Sequence, residues 1–278
     1  MNLAIDAGGT HLRAEIWENS KLIVSLNSKS NEIGLYAWIR SILKEYKGIK
    51  TIGIAYAGQV EDGYIISSPN IDIDKYEIKQ TIESEFDVSL KIENDLTCAV
   101  LAESHVHKSD NICTLYVGTG LGLGVIESAK IIRGAHNMAA EIGHIPYKQS
   151  PLTCGCGRSN CIELFASGSG IKKWIDYYKL DCEPTLDSLS ECEDKNILQE
   201  FENALTYAAG VTISLFNPEV LVLGGGIATT NVYLNDIIKQ EISHYALPQA
   251  LKGLTICLSA IDNAPLKGAL LLKDRDDD

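Results

Sequence analysis

One short pattern occurs twice in this chain. In the first copy, β-prone runs at residues 3–5 and 12–17 flank a glycine turn, and a further run follows at residues 22–25. The second copy, TLYVGTGLGLGVIESAKIIRG, lies 109 residues further along and aligns Gly9 with Gly118. Solenoid repeats recur every roughly 20 to 50 residues. A pair at this larger separation therefore predicts a duplicated domain.

Each copy is followed by helical and strand-like segments. The first half is predicted to contain a helix at 33–46, a strand at 51–55, a helix at 76–86, a strand at 90–92 and a helix at 96–105. The second half is predicted to contain helices at 163–178 and 197–216, a strand at 220–223, a helix at 231–244, a strand at 254–258 and a helix at 263–273. The acidic residues 180–196 favour a loop or a short helix. Strands followed by helices in both halves predict an α/β fold with ligand loops at strand ends.

The duplication predicts two lobes. A length of 278 residues, 45% of them hydrophobic, is enough for two domains with cores of their own. We predict an N-terminal lobe of residues 1–112 plus 262–278, to which the last helix returns. The C-terminal lobe is predicted to cover residues 113–261 and to carry a metal-binding module at residues 144–161.

That module contains one histidine and three cysteines. His144, Cys154, Cys156 and Cys161 form the Cys₃His ligand set of a closed tetrahedral zinc site, and Gly155 and Gly157 would let the backbone fold tightly through positive φ angles. Ordinary thiols or a strained local disulfide are the alternative, and an iron–sulfur cluster is less favoured because it usually takes a fourth thiolate. Four protein ligands leave no open position, so the predicted ion is structural.

Two carboxylates flank the metal ligands. Glu141 lies three residues before His144, and Glu163 lies two residues after Cys161. A metal on one nitrogen of His144 leaves the other free to donate to a nearby oxygen. These three side chains would suit sugar hydroxyls. Alternatively, both acids are solvated surface residues.

The two glycine turns could bind phosphate through their backbone N–H groups, and Asp6 could hold a magnesium ion, usually through water. The candidate residues are Asp6, Gly8, Gly9 and Thr10 in the first turn and Gly118, Thr119, Gly120 and Gly122 in the second. A hairpin without a ligand is the alternative for either turn alone. Two copies facing each other in a duplicated fold favour a phosphate cleft. Gly224, Gly225 and Gly226 could let a base or ribose lie against bare backbone, or could simply end a strand.

Asn94 and Asp95 follow a predicted strand at the edge where open α/β sheets bind ligands. The Asp95 carboxylate could take a proton from an attacking hydroxyl. It could instead only cap the next helix, as could Asn94, and the local sequence does not decide. Asn70 and the turn at Gly58-Gln59 could offer further polar groups to a ligand.

Seven motifs together resemble the ROK family (repressors, open reading frames and kinases) of the actin-like ATPase superfamily, and within it the bacterial sugar kinases. They are IDAGGT, END at 93–95, VGTGLGLGVI, AEIGH, CGCGRSNCIE, ASGSGI and NPEVLVLGGGI, and they cover nearly the whole chain. The resemblance implies a two-lobed actin-like ATPase (ribonuclease-H-like) fold. The chain departs from the family pattern at His11, where lysine is usual, and at Ala140, Leu123 and Asn160, where glycine is usual. Asn160 could still adopt a left-handed conformation.

The resemblance also implies an activity. Asp95 would be the catalytic base and the two glycine turns would hold the phosphates of ATP. The implied sugar-binding residues are Asn70, Asn94, Asp95, Glu141, His144 and Glu163, with Gly58 and Gln59 beside them. We expect an ATP-dependent hexose kinase with Mg²⁺ and structural Zn²⁺ that phosphorylates the 6-hydroxyl of glucose, and that acts as a homodimer. N-acetylmannosamine, allose or another hexose are the alternative substrates.

Two other classes of function compete with the kinase. Sugar-sensing transcription regulators of the same family carry a helix-turn-helix ahead of the sugar domain. The first predicted strand begins at Leu3, so we expect no such segment here. An inactive sugar-binding module is the other alternative, and the presence of both Asp6 and Asp95 argues against it.

Composition limits the partners and the location. A net charge of −13 and a pI near 4.9 argue against nucleic-acid binding, which needs clustered Lys and Arg. No apolar run is long enough for a membrane helix, and residues 1–9 lack the pattern of a signal peptide. We therefore expect a cytoplasmic protein that does not associate with membranes. The remaining cysteines, which are Cys98, Cys113, Cys182, Cys192 and Cys257, are expected to be reduced.

Overall fold

The structure is a computed structural model that describes residues 1–68, 71–192 and 196–274. The chain divides into two compact units. Unit 1 contains Met1–Val106, Arg133–Ala139 and Ile261–Asp278, and unit 2 contains His107–Ile132 and Ala140–Ala260. The short segment Arg133–Ala139 therefore groups with unit 1, although the predicted lobes assign it to the second. The lobe boundaries at residues 112 and 261 stay a prediction.

Unit 1 is built on a five-stranded mixed sheet with strand order β3-β2-β1-β4-β7. Its strands are β1 (Asn2–Ala7), β2 (His11–Glu18), β3 (Lys21–Lys29), β4 (Thr51–Tyr56) and β7 (Ser89–Asn94), and β5 (Gln59–Glu61) and β6 (Tyr64–Ser67) form a separate hairpin. Its helices are α1 (Leu35–Glu45), α2 (Ile78–Glu85) and α3 (Asp95–His107). Strand β1 runs antiparallel to β2 and parallel to β4, which runs parallel to β7.

Unit 2 repeats this arrangement. Its sheet has the order β10-β9-β8-β11-β12, with β8 antiparallel to β9 and parallel to β11, which runs parallel to β12. The strands are β8 (Ile112–Val117), β9 (Leu121–Glu127), β10 (Lys130–Ile131), β11 (Val220–Gly224) and β12 (Thr255–Leu258). The helices are α4 (Gly168–Tyr178), α5 (Leu186–Glu191), α6 (Asn196–Phe216), α7 (Gly225–Thr230), α8 (Tyr233–Glu241) and α9 (Pro248–Leu251). The predicted duplication is thus present in the strand order of both sheets.

Helix α1 shows how sequence periodicity builds the core of unit 1. Its buried residues recur at helical spacing and pack on the sheet: Leu35, Trp38, Ile39, Ile42 and Leu43. Alternate residues of β1, including Leu3 and Ile5, are buried on the same core. Each fully buried aliphatic side chain of this kind contributes roughly 1.5–3 kcal/mol relative to an exposed one.

The last helix, α10 (Ala264–Leu271), packs against β1 and β4 of unit 1. It approaches its neighbours through glycine. A Cβ atom on Gly53 would lie 1.9 Å from the Ala269 carbonyl oxygen, and one on Gly268 would lie 1.7 Å from the Cys98 carbonyl oxygen. Only glycine allows backbones this close, so α10 is tightly fixed within unit 1.

Several predicted elements differ from the structure. The predicted helix at 163–178 is a 3₁₀ turn, Ile162–Leu164, followed by α4, which begins at Gly168 after the capping side chain of Ser167. The β5–β6 hairpin and the short α9 were not predicted. Helix α5 lies within the predicted loop or short helix at 180–196. In the part of the chain that the structure describes, no helix is both long and apolar enough to cross a membrane.

Candidate functional site

The first glycine turn joins β1 to β2 and follows a buried carboxylate. Asp6 is only 7% exposed, and its Oδ2 accepts hydrogen bonds from Arg13 Nη1 at 3.2 Å and from Asn263 Nδ2 at 3.0 Å. Burial raises the pKa of Asp6, while the hydrogen bond from Asn263 and the positive charge of Arg13 oppose that rise. Gly9 and Thr10 are exposed at the tip of the turn. A buried carboxyl group is thus held directly beside an open turn.

Asn94 and Asp95 lie where β7 ends and α3 begins. The Asn94 Oδ1 accepts from the backbone N–H of Leu96 at 2.9 Å and of Thr97 at 3.4 Å, so Asn94 caps α3. The amide of Asn94 also donates to the Gly58 carbonyl at 3.2 Å. Asp95 also accepts from the Leu96 N–H, through Oδ1, at 2.9 Å. Asn94 accepts from two N–H groups of the first turn of α3 and Asp95 from one, so the cap does not depend on Asp95 alone.

Burial, together with the negative charge of Asp6, raises the pKa of Asp95 to about 7. A carboxylate with a pKa near neutrality is ionised often enough to accept a proton and basic enough to hold it. This pKa suits a general base.

Gly58 and Gln59 lie at the start of the β5–β6 hairpin. A Cβ atom on Gly58 would lie 2.4 Å from the Ser67 carbonyl oxygen, so close packing explains this glycine. The Gln59 Oε1 accepts from Ser67 Oγ at 3.0 Å, and its Nε2 contacts the sulfur of Met138. Asn70 lies outside the described residues.

In unit 2, the structure brings the four predicted metal ligands together. The His144 ring nitrogen and the Sγ atoms of Cys154, Cys156 and Cys161 all lie within 4.8 Å of one another. The Cys154 Sγ lies 3.6 Å from His144 Nδ1, and the Sγ atoms of Cys156 and Cys161 are 3.3 Å apart. Zinc–sulfur bonds of about 2.3 Å place tetrahedral ligand atoms slightly less than 4 Å apart, so the cluster fits a zinc ion.

The turns around this cluster differ in part from the prediction. Gly157 has φ +87°, as predicted, whereas neither Gly155 nor Asn160 has a positive φ. Ala140, at a position where the family usually has glycine, does adopt the left-handed conformation, with φ +64°. The backbone at Ala140 therefore has a positive φ angle of the kind that favours glycine.

Glu163 links the cysteine cluster to the second glycine turn. Its Oε1 lies 3.5 Å from Cys154 Sγ, and its Oε2 accepts from the Leu121 N–H at 3.3 Å. A Cβ atom on Gly120 would lie 2.8 Å from the same Oε2. Glu163 is therefore a partly buried, packed carboxylate, and the alternative that it is a solvated surface acid does not hold.

Glu141 lies in a different setting. It is exposed over much of its surface, although partial burial of its carboxyl group raises its pKa, an effect that His144 opposes and Glu163 reinforces. His144 turns Nδ1 toward Cys154, which leaves Nε2 on the other side of the ring. Glu141 therefore lies close enough to His144 and Glu163 for both to affect its ionisation.

The second glycine turn joins β8 to β9, as the first joins β1 to β2. The Gly118 N–H donates to the Gly120 carbonyl, while the Gly118 and Thr119 carbonyls accept from Gly168 and Ser169 at the start of α4. Gly122 does not belong to this turn. It lies inside β9, paired with Tyr116. The candidate phosphate turn therefore contains Gly118, Thr119 and Gly120.

The three glycines after β11 have different explanations. A Cβ atom on Gly224 would lie 2.5 Å from the Tyr116 ring, and Gly225 has φ +84° and lies against Val117. A Cβ atom on Gly226 would have nothing within 4 Å, and a Cβ atom on Gly118 would lie 3.9 Å from the Gly226 nitrogen. Gly224 and Gly225 are thus explained by packing and backbone conformation, while Gly226 opens onto space beside the second turn. Gly225 also begins α7, which the sequence did not reveal.

Sequence reasoning missed Asn263 and Arg13, the two donors to Asp6. Arg13 lies directly opposite Asp6 in the β1–β2 register, which an alternating strand pattern could have indicated. Asn263 precedes a helix with proline near its start, and this pattern indicates only a cap.

Known proteins match this chain in sequence over nearly its whole length. The ROK family model matches residues 2–275. The chain is 26% identical to a glucokinase of Thermotoga maritima over 98% of this chain and 97% of that protein. It is 25% identical to the xylose repressor of Bacillus subtilis over 96% of this chain and 75% of the repressor.

The fold is shared with solved structures. A ROK family glucokinase from Streptomyces griseus, in complex with glucose and AMPPNP, superposes with a TM-score of 0.77 and 23% identity and covers 98% of each chain. The strand order of both units and this superposition identify the two-lobed actin-like ATPase fold. The chain therefore belongs to the ROK family.

Proposed function

We propose that this protein is an ATP-dependent kinase that phosphorylates the 6-hydroxyl of a hexose, with glucose as its substrate. The observation that carries the proposal is Asp95: a buried carboxylate at the first position of α3, with a pKa near 7. Its Oδ1 accepts from the Leu96 N–H, so Oδ2 is the oxygen that takes the proton. Removing the proton as the sugar oxygen attacks the γ-phosphate keeps charge from building on that oxygen.

Phosphoryl transfer depends mainly on positioning and charge neutralisation. We assign the phosphates of ATP to the turns at Gly8–Thr10 and Gly118–Gly120, whose tips carry backbone N–H groups and no bulky side chains. Gly226 leaves room for another part of the nucleotide. Exclusion of competing water would then favour the sugar hydroxyl as the acceptor.

Asp6 fits a magnesium site. In the described part of the chain, both hydrogen bonds to its carboxylate end on Oδ2, which leaves Oδ1 available. Magnesium, held by Asp6 usually through water, would supply positive charge to the transferring phosphate.

The Cys₃His cluster fits a structural zinc ion held by His144, Cys154, Cys156 and Cys161. Zinc would supply a closed four-ligand clamp that fixes this loop. The chain's own residues then do the binding. With Nδ1 of His144 committed to the cluster, Nε2 can donate to a sugar hydroxyl, and Glu163 and Glu141 can accept from its neighbours. Asn94 and Asn70 complete the proposed sugar site.

A sugar-sensing regulator is the second candidate function. The chain is nearly as similar to the xylose repressor as to the glucokinase. A regulator would bind sugar without turnover.

For either function we further propose a homodimer located in the cytoplasm. Light scattering of the purified protein would test the dimer.

The test of the kinase is ADP release coupled to a reporter enzyme, with glucose, N-acetylmannosamine and allose as acceptors. Sugar-dependent ADP release that is lost in Asp95→Asn supports the kinase. Sugar binding by calorimetry without ADP release from any of the three would instead support the regulator.

A further inference from the structure

Asn263 makes two different hydrogen bonds with one side chain. It lies just before α10 in the left-handed conformation, with φ +50°. Its Oδ1 accepts from the Leu266 N–H at 3.1 Å and caps the helix, while its Nδ2 donates to Asp6 Oδ2 at 3.0 Å. The amide orientation is therefore determined, because a flipped amide would lose both bonds.

Helix α10 also contacts the helix that carries Asp95. The close approach of Gly268 to the Cys98 carbonyl places α10 against the first turn of α3. Asp95 begins that turn. One rigid element thus holds Asp6 through its cap residue and supports the start of α3 through its backbone.

We propose that Asn263 is a positioning residue that fixes the Asp6 carboxylate by binding Oδ2, so that Oδ1 remains available to hold magnesium. This inference rests on the kinase function proposed above. Asn263 acts through Asp6 and need not touch a substrate.

Arg13 does not make Asn263 redundant. Its side chain is 52% exposed and its bond to Asp6 is 3.2 Å long, so solvent screens the interaction. Asn263 is fixed by its helix cap and its backbone conformation, and it approaches from a different element. A neutral amide also orients the carboxylate without cancelling its charge.

The informative variant is Asn263→Asp. Aspartate caps helices as well as asparagine does and also tolerates the left-handed region, so the helix start should survive. The variant removes the N–H donor and places a second carboxylate against Asp6. We expect kcat to fall by about tenfold or more while the KM for sugar stays within about threefold.

A second measurement does not depend on turnover. Calorimetric titration with ADP, with and without Mg²⁺, should show that Mg²⁺ strengthens ADP binding to the wild type. We expect the increase in ADP affinity caused by Mg²⁺ to be about tenfold smaller in Asn263→Asp. The matched control is Asn217→Asp, the same change at another left-handed asparagine, exposed after α6 in unit 2; it should behave as the wild type.

If Asn263→Asp loses thermal stability, Asn263→Ser tests instead whether Asn263 positions Asp6. Serine also caps helices but is too short to reach Asp6, and it adds no charge. Loss of the Mg²⁺ gain in a folded Asn263→Ser supports the proposal. Wild-type kcat and a wild-type Mg²⁺ gain in either folded variant would overturn it. A wild type that binds ADP with Mg²⁺ but phosphorylates no sugar would overturn the kinase proposal alone.

Discussion

Burial and the negative charge of Asp6 together raise the pKa of Asp95 to about 7. Both carboxylates lie at strand ends in the sheet of unit 1: Asp6 is near the end of β1, and Asp95 directly follows β7. Burial also raises the pKa of Asp6, but the hydrogen bond from Asn263 and the positive charge of Arg13 oppose that rise. Asp95 has no cationic partner among the groups that shift its pKa, which is how one site can contain both an ion-holding acid and a proton-accepting one.

The first prediction is that kcat/KM falls on the acid side of pH 7, which gives an acid limb in its pH profile. Only ionised Asp95 accepts a proton, so kcat/KM should rise about tenfold per pH unit below pH 7 and level off above it. Asp6→Asn should move this limb to lower pH in whatever turnover remains, because the Asp6 charge raises the pKa of Asp95. A rate independent of pH between 5 and 8 would contradict the assignment of the base.

The second prediction concerns Asp95→Asn. The amide keeps the shape and can still accept from Leu96, but it cannot take the proton, so turnover should fall on the order of 10²-fold or more with sugar affinity within a few-fold. Single-turnover kinetics and calorimetry measure the two quantities. Asp187→Asn, an exposed acid in the first turn of α5, is the matched control.

Asp95→Asn should also change the free energy of unfolding, by an amount that depends on pH. The raised pKa means that the folded protein binds the Asp95 proton more tightly than the unfolded chain, so stability is lost as pH rises from about 4 to 7. Asparagine is neutral throughout. Asp95→Asn should therefore raise the free energy of unfolding at pH 8 by on the order of 2 kcal/mol and change it little at pH 4, by denaturant titration.

The sequence was most informative where residues that act together lie close in the chain. The four metal ligands fall within residues 144–161, so their spacing alone predicts that they can meet. The glycine turns were predictable for the same reason. At Gly122 the local pattern was ambiguous, because alternating glycine and leucine suits a turn as well as a strand, and pairing with Tyr116 decides for the strand.

Contacts between distant residues could not be predicted. The Asn263–Asp6 bond joins residues 257 positions apart, and nothing near either one indicates the other. The pKa of Asp95 depends on burial and on the charge of Asp6, neither of which the motif around residue 95 reveals. The sequence suggests the chemistry of each group, while the fold determines which of them is a cap, a base or a support.

The third prediction is one zinc ion per chain, lost in Cys156→Ser. Serine is a poor zinc ligand, and three remaining ligands hold the ion less tightly. Elemental analysis of purified protein measures the content. Cys192→Ser, a half-buried thiol outside the cluster, should keep its zinc. Zinc-free protein that phosphorylates sugar normally would contradict the structural role.

The fourth prediction is that Ala140→Gly stabilises the protein. Ala140 has φ +64°, a conformation that costs a residue with a Cβ roughly 1–2 kcal/mol, partly offset by the greater unfolded-state entropy of glycine. We expect a gain of about 0.5–1 kcal/mol in the free energy of unfolding. The neighbouring Ala139, which has no positive φ, is the control, and Ala139→Gly should be neutral or destabilising.

The last prediction is a preference for glucose over N-acetylmannosamine. An N-acetyl group needs space and an amide partner, and Gln59 could supply the partner or fill the space. Its Oε1 accepts from Ser67 and its Nε2 contacts Met138, so an acetamido group would have to compete with these two contacts for the Gln59 amide. Parallel kcat/KM measurements decide the matter: a preference of more than about tenfold for N-acetylmannosamine, about 1.4 kcal/mol, would overturn the choice. Gln59→Ala should narrow the preference for glucose, because it removes a side chain that could fill this space.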